Sequence, residues 1–169
     1  IYNAFDAELA GTSSDLRAEG AVETSIGLYN RNGGIASLRY GSVRAGEGRE
    51  ATGIRNDGTG SALELDGVIV GAEGGGNDVW GMENTGGGLA RLYGVRLSAD
   101  GGATSRGLEN VGSNVEARGT LISASGTIGS YGLVNHDGGE ATLLDKGIES
   151  SGGHDSWSVS HREQVSTLQ

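Results

Sequence analysis

The sequence predicts an all-β fold, a parallel β-helix or solenoid of about six to seven coils of 25–28 residues. Three observations carry that prediction. A short beat, glycine–apolar–any–asparagine, returns at nearly constant intervals along the whole chain. Between its returns the apolar residues alternate. Clusters of glycine and small polar residues close each interval, as in SYGLVNHDGGEATLLDKGIESSGG from Ser130 to Gly153.

Aligned on its last residue, the beat falls at Asn3, Asn30, Asn56, Asn84, Asn110 and Asn135, with His161 in the seventh slot. The spacings are 27, 26, 28, 26, 25 and 26. Two residues earlier stand Ile1, Leu28, Ile54, Met82, Leu108, Leu133 and Val159. A second landmark is the column Leu16, Val43, Val70, Leu97, Ile122 and Ile148, followed two residues later by Ala18, Ala45, Ala72, Ala99, Ala124 and Ser150. Five residues before it lie Gly11, Leu38, Leu65, Leu92, Ala117 and Leu143, and all three columns share the spacings 27, 27, 27, 25 and 26.

Segments such as VIVGA (Val68 to Ala72) and VRLSA (Val95 to Ala99) alternate with period two, the signature of a strand with one face inward. Helix-period segments are missing, so each repeat is two or three short strands joined by turns. One such unit cannot bury its own apolar side. Stacking the next unit about 4.8 Å above it buries that side and pairs the backbone groups. The repeat is too long for a hexapeptide-type coil, and parallel crossovers prefer the right hand, so the expected winding is right-handed. The asparagine column predicts a ladder of amides stacked coil on coil, each also able to hold a local turn. The glycines suit corners that need positive φ and places where neighbouring coils crowd.

The phrase YGLVN…GG…ATLLDKGIESSGG resembles the coils of right-handed β-helix proteins of the pectate-lyase-like class, and is similar to bacterial proteins with YGIYN…A.GG coils. The resemblance spans Ile1 to Gln169. It implies the fold and leaves activity open, because the class holds polysaccharide lyases and hydrolases, phage tailspikes, adhesins and structural segments.

Composition agrees. Glycine supplies 34 of 169 residues, about three times its usual share. Proline and cysteine are absent, so disulfides and thiolate metal sites are excluded. The net charge of −10 disfavours nucleic acid and anionic membrane as partners. No apolar run reaches the roughly 18 residues of a spanning helix, so membrane insertion by a helix is not expected. Residues 1–169 read as a single domain whose ends carry no cap-like segment, Thr167-Leu168-Gln169 matching Thr142-Leu143-Leu144 partway through a coil. The expectation is therefore a fragment of a longer secreted or cell-surface protein, with an oligomer or filament through uncapped ends as an option.

Candidate sites are few. GEGREA (Gly46 to Ala51) matches a dinucleotide fingerprint but reads as a corner turn. GGGNDVW (Gly74 to Trp80) resembles one calcium nonapeptide without the tandem copies such sites share. GGHDSWSVSH gathers His154, Asp155, Ser156, Ser158 and His161, but without a nucleophile elbow. The column Tyr29, Arg55, Glu83, Glu109, Val134 places two carboxylates one coil apart, the sort of pair a glycosidase uses, beside an arginine that suggests a salt bridge instead.

The column Ile26, Thr52, Trp80, Arg106, Tyr131, Trp157 forms an aromatic–cation strip, and Trp80, Arg106, Tyr131 and Trp157 are the best ligand-contact residues, for a carbohydrate. Its parity is awkward, since Trp80 lies two residues before Met82 and points inward unless a bulge intervenes. No catalytic residue, cofactor or metal is assigned. The expected function is a non-catalytic structural or interaction module, stalk- or adhesin-like, whose partners are glycans or other protein chains. The alternative is a carbohydrate-binding or carbohydrate-cleaving β-helix. An ice-templating surface would need a flat threonine column, which is not visible.

Overall fold

The structure, a computed structural model, describes residues 1–74, 76–162 and 167–168, with side chains through residue 159. It is a parallel β-solenoid of about 6 turns. The first coil is β1 (Tyr2–Ala4) and β2 (Glu8–Ala18), the second β3 (Thr24–Arg31) and β4 (Ile35–Gly46), the third β5 (Glu50–Asp57) and β6 (Ala62–Gly74). The fourth is β7 (Asp78–Thr85), β8 (Leu89–Tyr93) and β9 (Arg96–Gly101), the fifth β10 (Thr104–Val111), β11 (Asn114–Arg118) and β12 (Leu121–Ser125). The sixth is β13 (Gly129–His136), β14 (Glu140–Leu144) and β15 (Gly147–Ser151), and β16 (Asp155–Arg162) and β17 (Thr167–Leu168) begin a seventh.

One strand per coil builds a seven-stranded sheet, β1-β3-β5-β7-β10-β13-β16, and the remaining ten build the second sheet. The strand pairs are parallel and in register with the repeat. Leu16 sits on Val43, Val43 on Val70, Val70 on Leu97, Leu97 on Ile122 and Ile122 on Ile148. The beat's apolar residues Leu28, Ile54, Met82, Leu108 and Leu133 face that column across the tube, all fully buried.

The asparagine ladder is continuous. Each Nδ2 donates to the Oδ1 of the next coil, from Asn3 to Asn30 (2.8 Å), Asn56 (2.7 Å), Asn84 (2.8 Å), Asn110 (2.9 Å) and Asn135 (2.8 Å). The same amide also holds its own turn, as Asn30 does by donating to the Gly34 carbonyl at 2.9 Å. In the seventh slot the backbone of His161 pairs with Asn135, while its side chain lies outside the described residues.

One expectation needs correction. Thr167 pairs with Glu140, not with Thr142 as the repeat suggests. Six residues separate His161 from Thr167 but five separate Asn135 from Glu140, so the connection is lengthened there. The offset of two preserves the alternation of faces. The glycine of the beat is of the crowded kind the sequence suggests and not of the corner kind, with no positive φ at positions 27, 53, 81, 107 or 132. It is there for space: a Cβ on Gly81 would stand 2.6 Å from the Gly107 carbonyl oxygen and 3.0 Å from that of Ser98. The pairing register skips this glycine. Gly81 and Met82 are both buried, so the alternation slips by one and Trp80 faces outward.

Left-handed corners form a column of their own where the second sheet turns: Ser13, Tyr40, Gly67, Gly94, Gly119 and Asp145, with φ of 52°, 52°, 61°, 58°, 61° and 50°. Asp145 is exposed and its side chain makes no hydrogen bond among the described residues. Asp145→Gly therefore removes Cβ strain and loses no contact. It is expected to raise stability by about 0.5–1 kcal/mol, read as a higher urea midpoint at unchanged slope.

Candidate functional site

The outer face of the seven-stranded sheet is the richest surface of the molecule. Its outward columns run Trp80, Arg106, Tyr131, Trp157 and, beside them, Tyr29, Arg55, Glu83, Glu109. The slip at Gly81 and its equivalents turns both columns to the same side. The sheet therefore brings the sequence-derived strip and the carboxylate column onto one surface.

Arg106 is the hub of the strip. Its guanidinium carbon lies 5.4 Å from the Trp80 ring centroid and 5.9 Å from that of Tyr131. It donates to Asp78 at 2.9 Å and stands 3.5 Å from Glu109. Trp80 Nε1 donates to the same Glu109 carboxylate at 2.5 Å. His136 closes the group, with Nε2 at 3.3 Å from Glu109 and Nδ1 at 2.9 Å from Asp137. The ring faces of Trp80 and Tyr131 are thus already shared with a cation, whereas Trp157 is 58% exposed. At the other end of the column Thr52 is fully buried and its Oγ1 has no partner among the described residues.

The carboxylate column is equally occupied. Arg55 Nε donates to Glu83 at 2.5 Å and lies over the Tyr29 ring at 5.7 Å. Arg31 covers the same ring at 5.3 Å, and Tyr29 donates to Asp57 at 3.3 Å. Glu83 is mostly buried, with 18% of its side chain exposed. Burial pushes its carboxyl above the ordinary glutamate value. The charge and hydrogen bond of Arg55 pull it down, while Glu109 and Asp57 add to the rise.

A raised folded value means that the native state holds the proton more tightly than the unfolded chain does. The associated stability is present below the ordinary glutamate range and is lost as pH rises through the raised value. Glu83→Gln removes this titration. The difference in melting temperature, variant minus parent, should climb with pH across that window. The Arg55 pair belongs to the same titration, because it forms only with the ionised carboxylate. A difference that stays flat with pH would count against a raised Glu83.

The other motifs resolve into structure. GEGREA is the turn leading into β5, with a strand and no helix after it. In GGGNDVW, Asp78 serves Arg106, and Gly75 lies outside the described residues. Ser156 donates to Ser150 at 3.0 Å, and His154 is exposed. No cluster of metal-ligating side chains is found among the described residues.

Sequence reasoning missed Asp78, His136 and Asp137 as members of the group around Arg106 and Glu109. The available signal was register: Asp78 begins the strand that carries Trp80, and His136 ends the strand that carries Tyr131. Comparisons with family models, with curated proteins and with solved structures returned no match.

Proposed function

We propose that this chain is a non-catalytic structural or interaction module, stalk- or adhesin-like, from a secreted or cell-surface protein. We further propose the right-handed winding of the pectate-lyase-like class. The observation that supports the non-catalytic reading is the occupancy of the outer carboxylates. Glu83 is held by Arg55, and Glu109 by Trp80, Arg106 and His136. A general acid and base must instead turn a free oxygen to either side of a scissile bond. Apart from Arg106–Glu109 within β10, these pairs run between coils and fasten each to the next, which suits a stiff rod that bears load or presents its surface to other chains.

The second reading, carbohydrate binding, is favoured by one feature. Tyr131 is half-buried beside the open ring of Trp157, a short aromatic platform next to a cation. A glycan array and a reducing-end assay over a panel of polysaccharides separate the two. The module reading expects no new reducing ends and no glycan retained through the aromatic strip. The Trp80→Ala, Tyr131→Ala double variant should then differ from the parent only in stability, by about 2 kcal/mol. Glycan retention that this variant abolishes would replace the module reading with the carbohydrate one.

A further inference from the structure

Asn32–Gly33 is the only asparagine–glycine pair in the chain. It lies at an exposed turn just after β3, with Asn32 at φ 51° and Gly33 at φ 83°. Four coils further along, the same turn is built from Asp137 and Gly138, at φ 53° and 79°. The match extends to the closing hydrogen bond: Gly34 N–H donates to the Arg31 carbonyl and Gly139 N–H to the His136 carbonyl, both at 3.1 Å. The preceding residues, Arg31 and His136, belong to one column of the sheet.

The side chains repeat the pattern. His136 Nδ1 lies 2.9 Å from the Asp137 carboxylate. In the amide orientation that satisfies both partners, the Asn32 side-chain oxygen accepts from Arg31 Nε at 3.0 Å and from its terminal nitrogen at 3.3 Å. The fold thus carries, at equivalent places, a base paired with an acid and a base paired with an amide.

We propose that Asn32 is a spontaneous modification site at which its amide becomes a carboxylate, Arg31 then pairing with it as His136 pairs with Asp137. The Gly33 nitrogen, whose residue carries no Cβ and whose N–H donates to Ser61 Oγ at 3.3 Å, gives up that long bond and attacks the Asn32 side-chain carbonyl carbon. A new carbon–nitrogen bond forms, the amide carbon–nitrogen bond breaks, and ammonia leaves with the Gly33 amide proton. Water then opens the five-membered imide, attacking the former side-chain carbon to give an acid and restore the Gly33 amide. The sum is amide plus water to acid plus ammonia, with no redox change. Arg31 assists by donating to the oxygen that becomes negative during the attack. The product fits because Asp137 already occupies the same backbone geometry. It also adds one negative charge, which Arg31 neutralises locally.

The ladder asparagines have no such route. Asn30, Asn56, Asn84, Asn110 and Asn135 are fully buried, and none precedes glycine.

The test incubates the intact folded chain in mildly alkaline buffer and follows it by ion exchange and peptide mapping with mass spectrometry. Conversion at Asn32 ahead of every other asparagine is expected, several-fold slower in Arg31→Gln. Asn32→Asp should co-elute with the converted protein and melt no lower than the parent. Two results would overturn the proposal. One is an intact Asn32 in folded protein under conditions where the denatured chain converts. The other is an Asn32→Asp variant that melts well below the parent, since the aspartate would then not fit the turn.

Discussion

Val70→Asp leaves the chain unfolded or melting far below the parent. Val70 is fully buried, between Val43 and Leu97 in its column. It also abuts the opposite sheet, for a Cβ on Gly53 would stand 2.7 Å from Val70 Cγ1. An aspartate there has no basic partner within the apolar core cluster. It must bury a charge or take up a proton, and even the neutral acid lacks a hydrogen bond. Lost valine burial and an unsatisfied polar group together cost about 4 kcal/mol or more, a large part of a domain's typical stability of about 5–15 kcal/mol. The damage spreads because each coil is held by its neighbours. Ile69→Asp, one residue away but outward and 44% exposed, supplies the control. It is expected within about 0.5 kcal/mol of the parent. Urea midpoints by far-ultraviolet circular dichroism measure both, and a Val70→Asp midpoint equal to that of Ile69→Asp would sink the column arrangement.

That control works because the fold writes its long-range contacts into the sequence as repetition. Leu16, Val43, Val70, Leu97, Ile122 and Ile148 are distant in the chain and adjacent in the tube, and their even spacing was enough to stack them. The ladder was legible for the same reason. The outward turn of Trp80 was not, because it hangs on a slip in the alternation at Gly81, which has no positive φ and sits where the next coil's backbone leaves no room for a Cβ. Nor was the pairing of Thr167, since one added residue in a connection is as compatible with the pattern as one removed.

The outer face shows the same division. Arg55 and Glu83 occupy one column in adjacent coils, so their pairing followed from register alone. Glu109 is engaged diagonally, by Trp80 from the coil below and His136 from the coil above. Such contacts depend on the rotamers of long side chains, which repeat spacing does not record. Asp78 was hidden by a motif: its glycine-rich approach looks like a calcium turn, while its carboxylate serves Arg106. The aromatic strip was legible as a column, but the guanidinium shared between its rings changes its meaning. A ring face already given to a cation is less available to a sugar.

Asn84→Asp should destabilise the chain nearly as much as the charge in the tube, without altering shape. Asn84 is a fully buried rung. Its Nδ2 donates to Asn110 Oδ1 at 2.9 Å, to the Asn114 carbonyl at 3.1 Å and to the Gly88 carbonyl at 3.2 Å, while its Oδ1 accepts from Asn56 at 2.8 Å. An ionised aspartate keeps the Asn56 bond but sets an acceptor against three others. At about 1–3 kcal/mol for each buried group left unsatisfied, a loss of roughly 4 kcal/mol is expected near neutral pH. The protonated acid restores one donor, so the native state binds the proton more tightly than the unfolded chain does. Stability is then largely recovered below the ordinary aspartate range and falls as pH rises through the raised folded value. The ladder therefore predicts a sign as well as a size: this variant should melt higher in acid relative to the parent. A variant that tracks the parent at every pH would mean that the amides merely fill space between coils that backbone pairing already holds.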